Sequence, residues 1–138
     1  MTDHSGKRFP QPSSETQHYW QGCHEHELRI QHCRDCGNYQ FYPRIICTSC
    51  MSQAVDWIQT EGRGEVLSYT IITRAVSEGY AADVPYVVAL IKLQEGPCMM
   101  SNVINCPHEE VSIGMPVSVV FEDWSEEISI PKFQPNSN

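Results

Sequence analysis

Two Cys-x-x-Cys pairs, Cys33-Arg34-Asp35-Cys36 and Cys47-Thr48-Ser49-Cys50, constrain this chain more than any other feature. Each spacing lets two thiolates leave one tight turn toward the same tetrahedral ion. Two such turns supply four sulfur ligands and close the shell. Zn²⁺ held by four thiolates has no open position, so Cys33, Cys36, Cys47 and Cys50 define a structural centre rather than a catalytic one. The ten residues between the pairs suit a small zinc ribbon, two knuckles joined by a short extended excursion. Two disulfides, or unrelated thiols, are the competing readings.

Seven cysteines behind an N-terminus with no apolar stretch favour a reducing compartment, so metal ligation and a cytoplasmic location are expected. Cys23, Cys98 and Cys106 fall outside the pairs and read as buried small apolar residues. The 138 residues make one ordinary domain, or two small ones sharing an interface. No run approaches the roughly 18 apolar residues of a membrane-spanning helix. Nine basic against seventeen acidic residues give a formal net charge of -8. That balance repels phosphate backbones, so no nucleic-acid partner is expected, although zinc ribbons and barrels often bind single strands. Folding could still cluster the ribbon arginines Arg34 and Arg44.

Residues 1–12 read as a flexible arm and residues 13–27 as a short helical segment. Ser14 and Gln17 fit a capping box, Gly22 ends or breaks the first helix, and a second short helix fits Cys23 to Glu27. Tyr19 and Trp20 put large apolar surface on this otherwise polar segment. They either fold back on the domain or dock on a partner.

Residues 28–60 form the ribbon: a strand from Leu28 to His32, the two knuckles, and a strand from Ala54 to Thr60. Gly37 supplies the positive φ that a knuckle turn needs. Tyr39, Phe41 and Tyr42 are placed to cover the metal site. His24 and His26 make a poor metal pair, and the six histidines read as surface residues.

Residues 61–133 carry strand after strand. After a turn at Gly62 to Gly64 come strands over Val66 to Thr73, Pro85 to Leu93, Cys98 to Ile104, Val117 to Glu122 and Ile128 to Ile130. The second and third form a hairpin across Glu95-Gly96-Pro97. Five strands predict a small closed barrel of the OB type. Residues 134–138 read as a flexible tail. The fold class is therefore mainly β: short N-terminal helices, a rubredoxin-like zinc ribbon and a five-stranded OB-fold barrel.

The order Tyr19 to Gly22, Leu28 to Cys33, Cys36-Gly37, Pro43-Arg44, Cys47, Cys50, Trp57, Gly62 to Val66, Ser68 to Thr70, Pro85 to Leu90, Ile113 to Val117, Val120-Phe121 and Pro131 to Phe133 strongly resembles one family. These are the zinc-ribbon/OB-fold proteins associated with acyl-CoA enzymes, and the likeness covers about residues 14 to 135. The resemblance implies an accessory subunit in a hetero-oligomer. Its partner is a thiolase-superfamily acyltransferase or retro-aldol lyase, or alternatively a hotdog-fold enoyl-CoA hydratase. It also implies a CoA thioester shared with that partner. Only the four cysteines transfer firmly as site residues. Arg74, Lys132 and Phe133 are candidate contacts for CoA phosphate and adenine, and Tyr19 and Trp20 candidate anchors for the partner. No nucleophile-base pair or phosphate loop accompanies them, so catalysis by the chain alone is not expected.

Overall fold

The computed structural model describes residues 6–136. Its first element is a single helix, α1 (Gln17–His24), followed by β1 (Arg29–Cys33), β2 (Tyr39–Gln40) and β3 (Val55–Gln59). These three strands form an antiparallel sheet in the order β2-β1-β3. Five more follow: β4 (Arg63–Ile72), β5 (Tyr86–Leu93), β6 (Cys98–Val103), β7 (Pro116–Asp123) and β8 (Ser129–Pro135). They close a barrel in the order β4-β5-β6-β8-β7, with β7 returning to β4. All barrel pairings are antiparallel except β6 with β8, which meet in parallel at Val103 and Phe133.

The expected mainly β class, zinc ribbon and five-stranded barrel are all present, and the helical region is simpler than expected. The helix starts at Gln17 because the N–H groups of Thr16 and Gln17 both bond the Ser13 carbonyl, at 3.1 and 2.8 Å. Thr16 stands at the cap without a side-chain cap bond, so the Ser14–Gln17 box does not form. The helix runs through Gly22 and stops two residues later. His26 adopts φ 60 there, while the Glu27 N–H bonds Gly22 O at 2.7 Å and the His26 N–H bonds Cys23 O at 2.9 Å. This is a Schellman ending with histidine in the left-handed position, and it forbids the second helix over Cys23 to Glu27. The His26 ring stacks on Phe121 with centroids 5.1 Å apart, and its Nε2 lies 2.8 Å from Asp123 Oδ1. The helix end is thus tied to β7.

Both ends of the chain are more ordered than expected within the described residues. Lys7 is buried, pairs with Asp83 at 2.9 Å and lies against the rings of Tyr80 and Trp124. Phe9 packs on Trp124 at 5.5 Å. Residues 1–5 of the expected arm lie outside the described residues. At the other end, the last strand continues through Pro131 to Pro135, and the Asn136 N–H reaches Pro116 O at 2.9 Å. Pro131 is paired with Phe121 inside the strand, so the proline does not end it. The predicted tail 134–138 is therefore strand in its first two positions, and only Ser137 and Asn138 lie outside the described residues.

The predicted turn at Gly62 to Gly64 is confined to Gly62. Gly64 is a strand residue paired with Leu93 and Val117. A Cβ there would come within 2.4 Å of the Lys92 carbonyl, so glycine lets the strands close.

One apolar cluster runs through both halves of the molecule. Val66, Val87, Ala89, Ile91, Leu93, Met99, Val117 and Phe133 fill the barrel, and Tyr19, Cys23, Leu28 and Ile30 extend the cluster into the helix and ribbon. The two small modules share a core rather than a linker.

Candidate metal centre and ligand clefts

The four paired cysteines converge at one end of the ribbon sheet, with all four sulfurs within 4.8 Å of one another. Cys33 Sγ lies 3.7 Å from Cys50 Sγ, and Cys36 Sγ lies 3.6 Å from Cys47 Sγ. A tetrahedron of sulfurs at about 2.3 Å from Zn²⁺ has edges of about 3.8 Å, so this donor set fits a four-thiolate zinc centre.

The two knuckles repeat the same wiring. The Gly37 N–H bonds Cys33 O at 3.0 Å, and the Met51 N–H bonds Cys47 O at 2.9 Å. Cys33 Sγ accepts the Cys36 N–H at 3.5 Å, and Cys47 Sγ accepts those of Ser49 at 3.3 Å and Cys50 at 3.5 Å. The amide of Asn38 adds a longer contact to Cys47 Sγ at 3.9 Å. Donors aimed at sulfur favour thiolate. The Cys50 N–H, helped by that of Ser49, holds the Cys47 thiol down to about 6, and the Cys36 N–H lowers Cys33. Cys50 has the Ser52 N–H pulling it down, yet burial and the neighbouring sulfurs push it up to about 12. Four clustered thiols do not all ionise by themselves. A dication would complete the deprotonation, so binding would release protons.

The aromatics expected to cover this centre do something else. Phe41 meets Tyr19 edge-on at 5.5 Å and Tyr42 at 5.1 Å, which turns them toward helix and barrel. Tyr39 pairs with His32 at 4.5 Å on the sheet surface, and His32 is outside the cysteine cluster. The excursion between the knuckles is held instead by two buried amides. Gln31 bonds the backbone of Arg44 through both its amide atoms, at 2.9 Å each. Gln40 donates to Gln31 Oε1 at 2.7 Å and accepts the Thr48 N–H at 2.9 Å. Neither glutamine belongs to a motif. Their only signal was polar side chains at inward strand positions. Arg34 is occupied by Asp56 at 2.9 Å, and Arg44 Nη1 by the Pro43 carbonyl at 2.8 Å, each on its own acceptor.

Of the unpaired cysteines, Cys23 is buried as expected, Cys98 is exposed, and Cys106 is intermediate. Cys98 and Cys106 therefore depart from the buried reading, Cys98 because it sits on the outer face of β6.

The structure separates the candidate ligand residues. Phe133 is fully buried in the barrel core and offers no surface to a ligand. Arg74 stands exposed in the loop after β4, outside both main clefts. Lys132 alone faces a cleft, one of about 560 Å³ at the barrel mouth. Tyr19 is also core, only 7% exposed, and contributes to the neighbouring apolar groove mainly from beneath its surface side chains. Burial pushes its phenol well above the ordinary value. Trp20 beside it lines a second, apolar groove of about 320 Å³ with Tyr42, Pro43, Met100 and Pro131. Every side chain along that groove is uncharged.

The chain matches the rubredoxin-like zinc ribbon domain of ChsH2 over residues 20–56 and the C-terminal OB-fold domain of ChsH2 over residues 57–122. It belongs to this family of zinc-ribbon/OB-fold proteins, and its four clustered cysteines are positioned to hold the metal of the zinc ribbon. A DUF35 domain-containing scaffold protein of Methanothermobacter thermautotrophicus is 34% identical over 96 residues, 69% of this chain and 71% of that protein. The 3-oxo-4,17-pregnadiene-20-carboxyl-CoA hydratase alpha subunit of Mycobacterium tuberculosis is 34% identical over 119 residues, 84% of this chain and 37% of that protein. A probable enoyl-CoA hydratase alpha subunit of Thermomonospora curvata is 29% identical, over 85% of this chain. The chain spans only 36% of that protein's length. Among solved structures, the Ltp2-ChsH2(DUF35) aldolase superposes with a TM-score of 0.82 at 28% identity, covering 91% of this chain and 98% of that one. A DUF35 protein of Sulfolobus solfataricus shares the fold, with a TM-score of 0.64 at 16% identity.

Proposed function

We propose that this chain is an accessory, non-catalytic subunit of an acyl-CoA-processing complex. It seats against a thiolase-superfamily partner, an acyltransferase or retro-aldol lyase, and helps form the channel for a CoA thioester. The observation that carries this reading is the end-to-end superposition on the Ltp2-ChsH2(DUF35) aldolase, whose description couples a chain of this family to a second protein. The chemistry is in keeping with it. A four-thiolate centre leaves no coordination position for a substrate, so the metal serves folding. The uncharged groove beside Trp20, with Tyr42 59% and Met100 60% exposed, offers large side chains of the kind that anchor interfaces. Arg74 remains available for a CoA phosphate. The complex is a hetero-oligomer, and a reducing cytoplasm suits its thiolate ligands.

A second reading is favoured by two relatives described as hydratase alpha subunits. There the partner is a hotdog-fold enoyl-CoA hydratase. Binding to single-stranded nucleic acid is not supported by a charge of -8. Co-expression with a thiolase-superfamily protein and, separately, with a hotdog-fold hydratase from the same genome tests the choice. Stable co-purification with the first supports the proposal. Exclusive co-purification with the second replaces it with the hydratase reading.

A further inference from the structure

The cleft at the barrel mouth contains a buried ammonium whose donor capacity the described residues do not fill. Lys132 lies on β8 with its side chain 10% exposed. Its Nζ carries three N–H donors. Asn102 Oδ1 accepts one at 2.5 Å. The Glu122 carboxylate is 4.0 Å away, beyond hydrogen-bond distance, and the Trp124 ring centroid is at 5.8 Å. Asn102 is itself fixed, because its Nδ2 donates to Val87 O at 2.7 Å. The oxygen of Asn102 is therefore committed to the lysine, and the lysine's direction is set.

The walls are mixed. Tyr80 and Tyr86, with centroids 5.7 Å apart, give aromatic surface, and Val87 and Pro107 give aliphatic surface. Among the described residues four formal charges line the cleft, Lys7 and Lys132 against Asp83 and Glu122. Asp83 is the carboxylate paired with Lys7 at 2.9 Å. The cleft therefore has no net charge to offer a polyanion, and a phosphate inside it would meet two carboxylates. Its volume of about 560 Å³ lies within the usual range for small-molecule sites, about 300–1,000 Å³.

The geometry points to a binding site for a neutral small molecule with an apolar body and a carbonyl oxygen, the oxygen accepting a hydrogen bond from Lys132 Nζ. The apolar body lies along Tyr80, Tyr86 and Val87, and the carbonyl takes the direction Asn102 leaves open. Burial pushes the Lys132 amine below the ordinary lysine range, with Glu122 and Asp83 opposing the shift. A desolvated cation of this kind gains more from an acceptor than an exposed lysine does. This site goes beyond the accessory-subunit reading and does not depend on it, since the cleft is formed by this chain alone. Joined to that reading, it sets the acyl end of a thioester, not the nucleotide end, against Lys132.

The test uses the zinc-loaded full chain, ¹⁵N-labelled, titrated with three probes: 1-indanone, its carbonyl-free counterpart indane, and adenosine 3′,5′-bisphosphate. The expected result is that 1-indanone shifts the amides of Tyr86, Asn102 and Lys132 and binds about tenfold more tightly than indane, the fold-change of about one charged hydrogen bond. Lys132→Met is expected to bring the two within about twofold by removing the donor. Equal binding of 1-indanone and indane, no shifts at these amides, or tighter binding of the bisphosphate at the same amides overturns the site. Retention of the carbonyl preference by Lys132→Met overturns the role of Lys132. If that variant does not fold, the comparison of 1-indanone with indane on the unaltered chain decides. No partner is present, so failure here leaves the assembly proposal untouched.

Discussion

Gly37 and Met51 occupy equivalent positions in the two zinc knuckles. Both lie in the left-handed region, at φ 79 and φ 67, and each N–H returns to the carbonyl of the first cysteine of its pair. Glycine takes this conformation at no steric cost, whereas an L side chain loses about 1–2 kcal/mol there. Met51 is 72% exposed, so its side chain contributes little burial in return. Met51→Gly should therefore stabilise the ribbon, by up to about 1.5 kcal/mol once the extra entropy of glycine in the unfolded chain, about 0.5–1 kcal/mol, is subtracted. Chemical denaturation of the zinc-loaded protein measures this. A lower midpoint for the variant would mean that Met51 packs where the structure leaves it open.

Zinc removal should act on one half of the molecule first. The barrel has its own buried residues, whereas the ribbon end is organised around four sulfurs. The purified chain should carry about one zinc, and Cys36→Ser should lose it, because metal binding energy is folding energy in such a centre. Amide spectra should then show ribbon signals collapsing while β5 and β6 signals persist. Unchanged ribbon signals in a chelated sample would refute the structural role of the ion.

Cys23 predicts an alkaline limb. Burial, opposed by Tyr19 and Arg29, pushes its thiol from 9.0 up to about 12. The protonated form is favoured in the folded state. Its contribution is thus fully present below the unfolded value, near pH 9, and is lost as pH rises toward 12. The loss is on the order of a few kcal/mol. Cys23→Ala should be less stable at neutral pH and should lose less between pH 9 and 11, apart from the share carried by Tyr19. Parallel stability curves for the two proteins would remove Cys23 from this account.

The large side chains packed around α1 divide between two tasks. Tyr19→Ala should cost about 3–5 kcal/mol by opening a core cavity. Tyr42→Ala and Met100→Ser, on the groove rim, should leave thermal stability nearly unchanged and weaken capture of the partner. Thermal unfolding beside pull-down efficiency separates the two effects. If Tyr42→Ala and Met100→Ser bind the partner as the parent chain does, the interface lies elsewhere.

The cysteine spacing and the β-branched runs made the ribbon and barrel legible, because metal geometry and strand period are local properties of sequence. The end of α1 was not legible: it depends on His26 adopting a left-handed conformation and being held by Asp123, far along the chain. The last strand was cut short at Pro131 because proline reads as a stop, whereas at this position its neighbours carry the ladder to β7. In the sequence Phe133 reads as a ligand contact, and Tyr19 stays open between folding back and docking, because burial is set by tertiary packing, which spacing does not encode. Lys132 reads there as a candidate CoA contact, and the structure places it in a cleft. Its charge-balanced surroundings come from Lys7, Asp83 and Glu122, three other segments of the chain, and underlie the proposed carbonyl site.

The central claim is that this chain acts by assembling with a thiolase-superfamily partner. The most direct measurement is acyl-CoA turnover by the isolated chain, the isolated partner, and the two mixed and purified as one species by size exclusion. The account predicts no turnover by the chain alone, and a co-eluting complex more active than either component. A chain that remains separate from the partner, or that alone turns over acyl-CoA at the rate of the mixture, would contradict it.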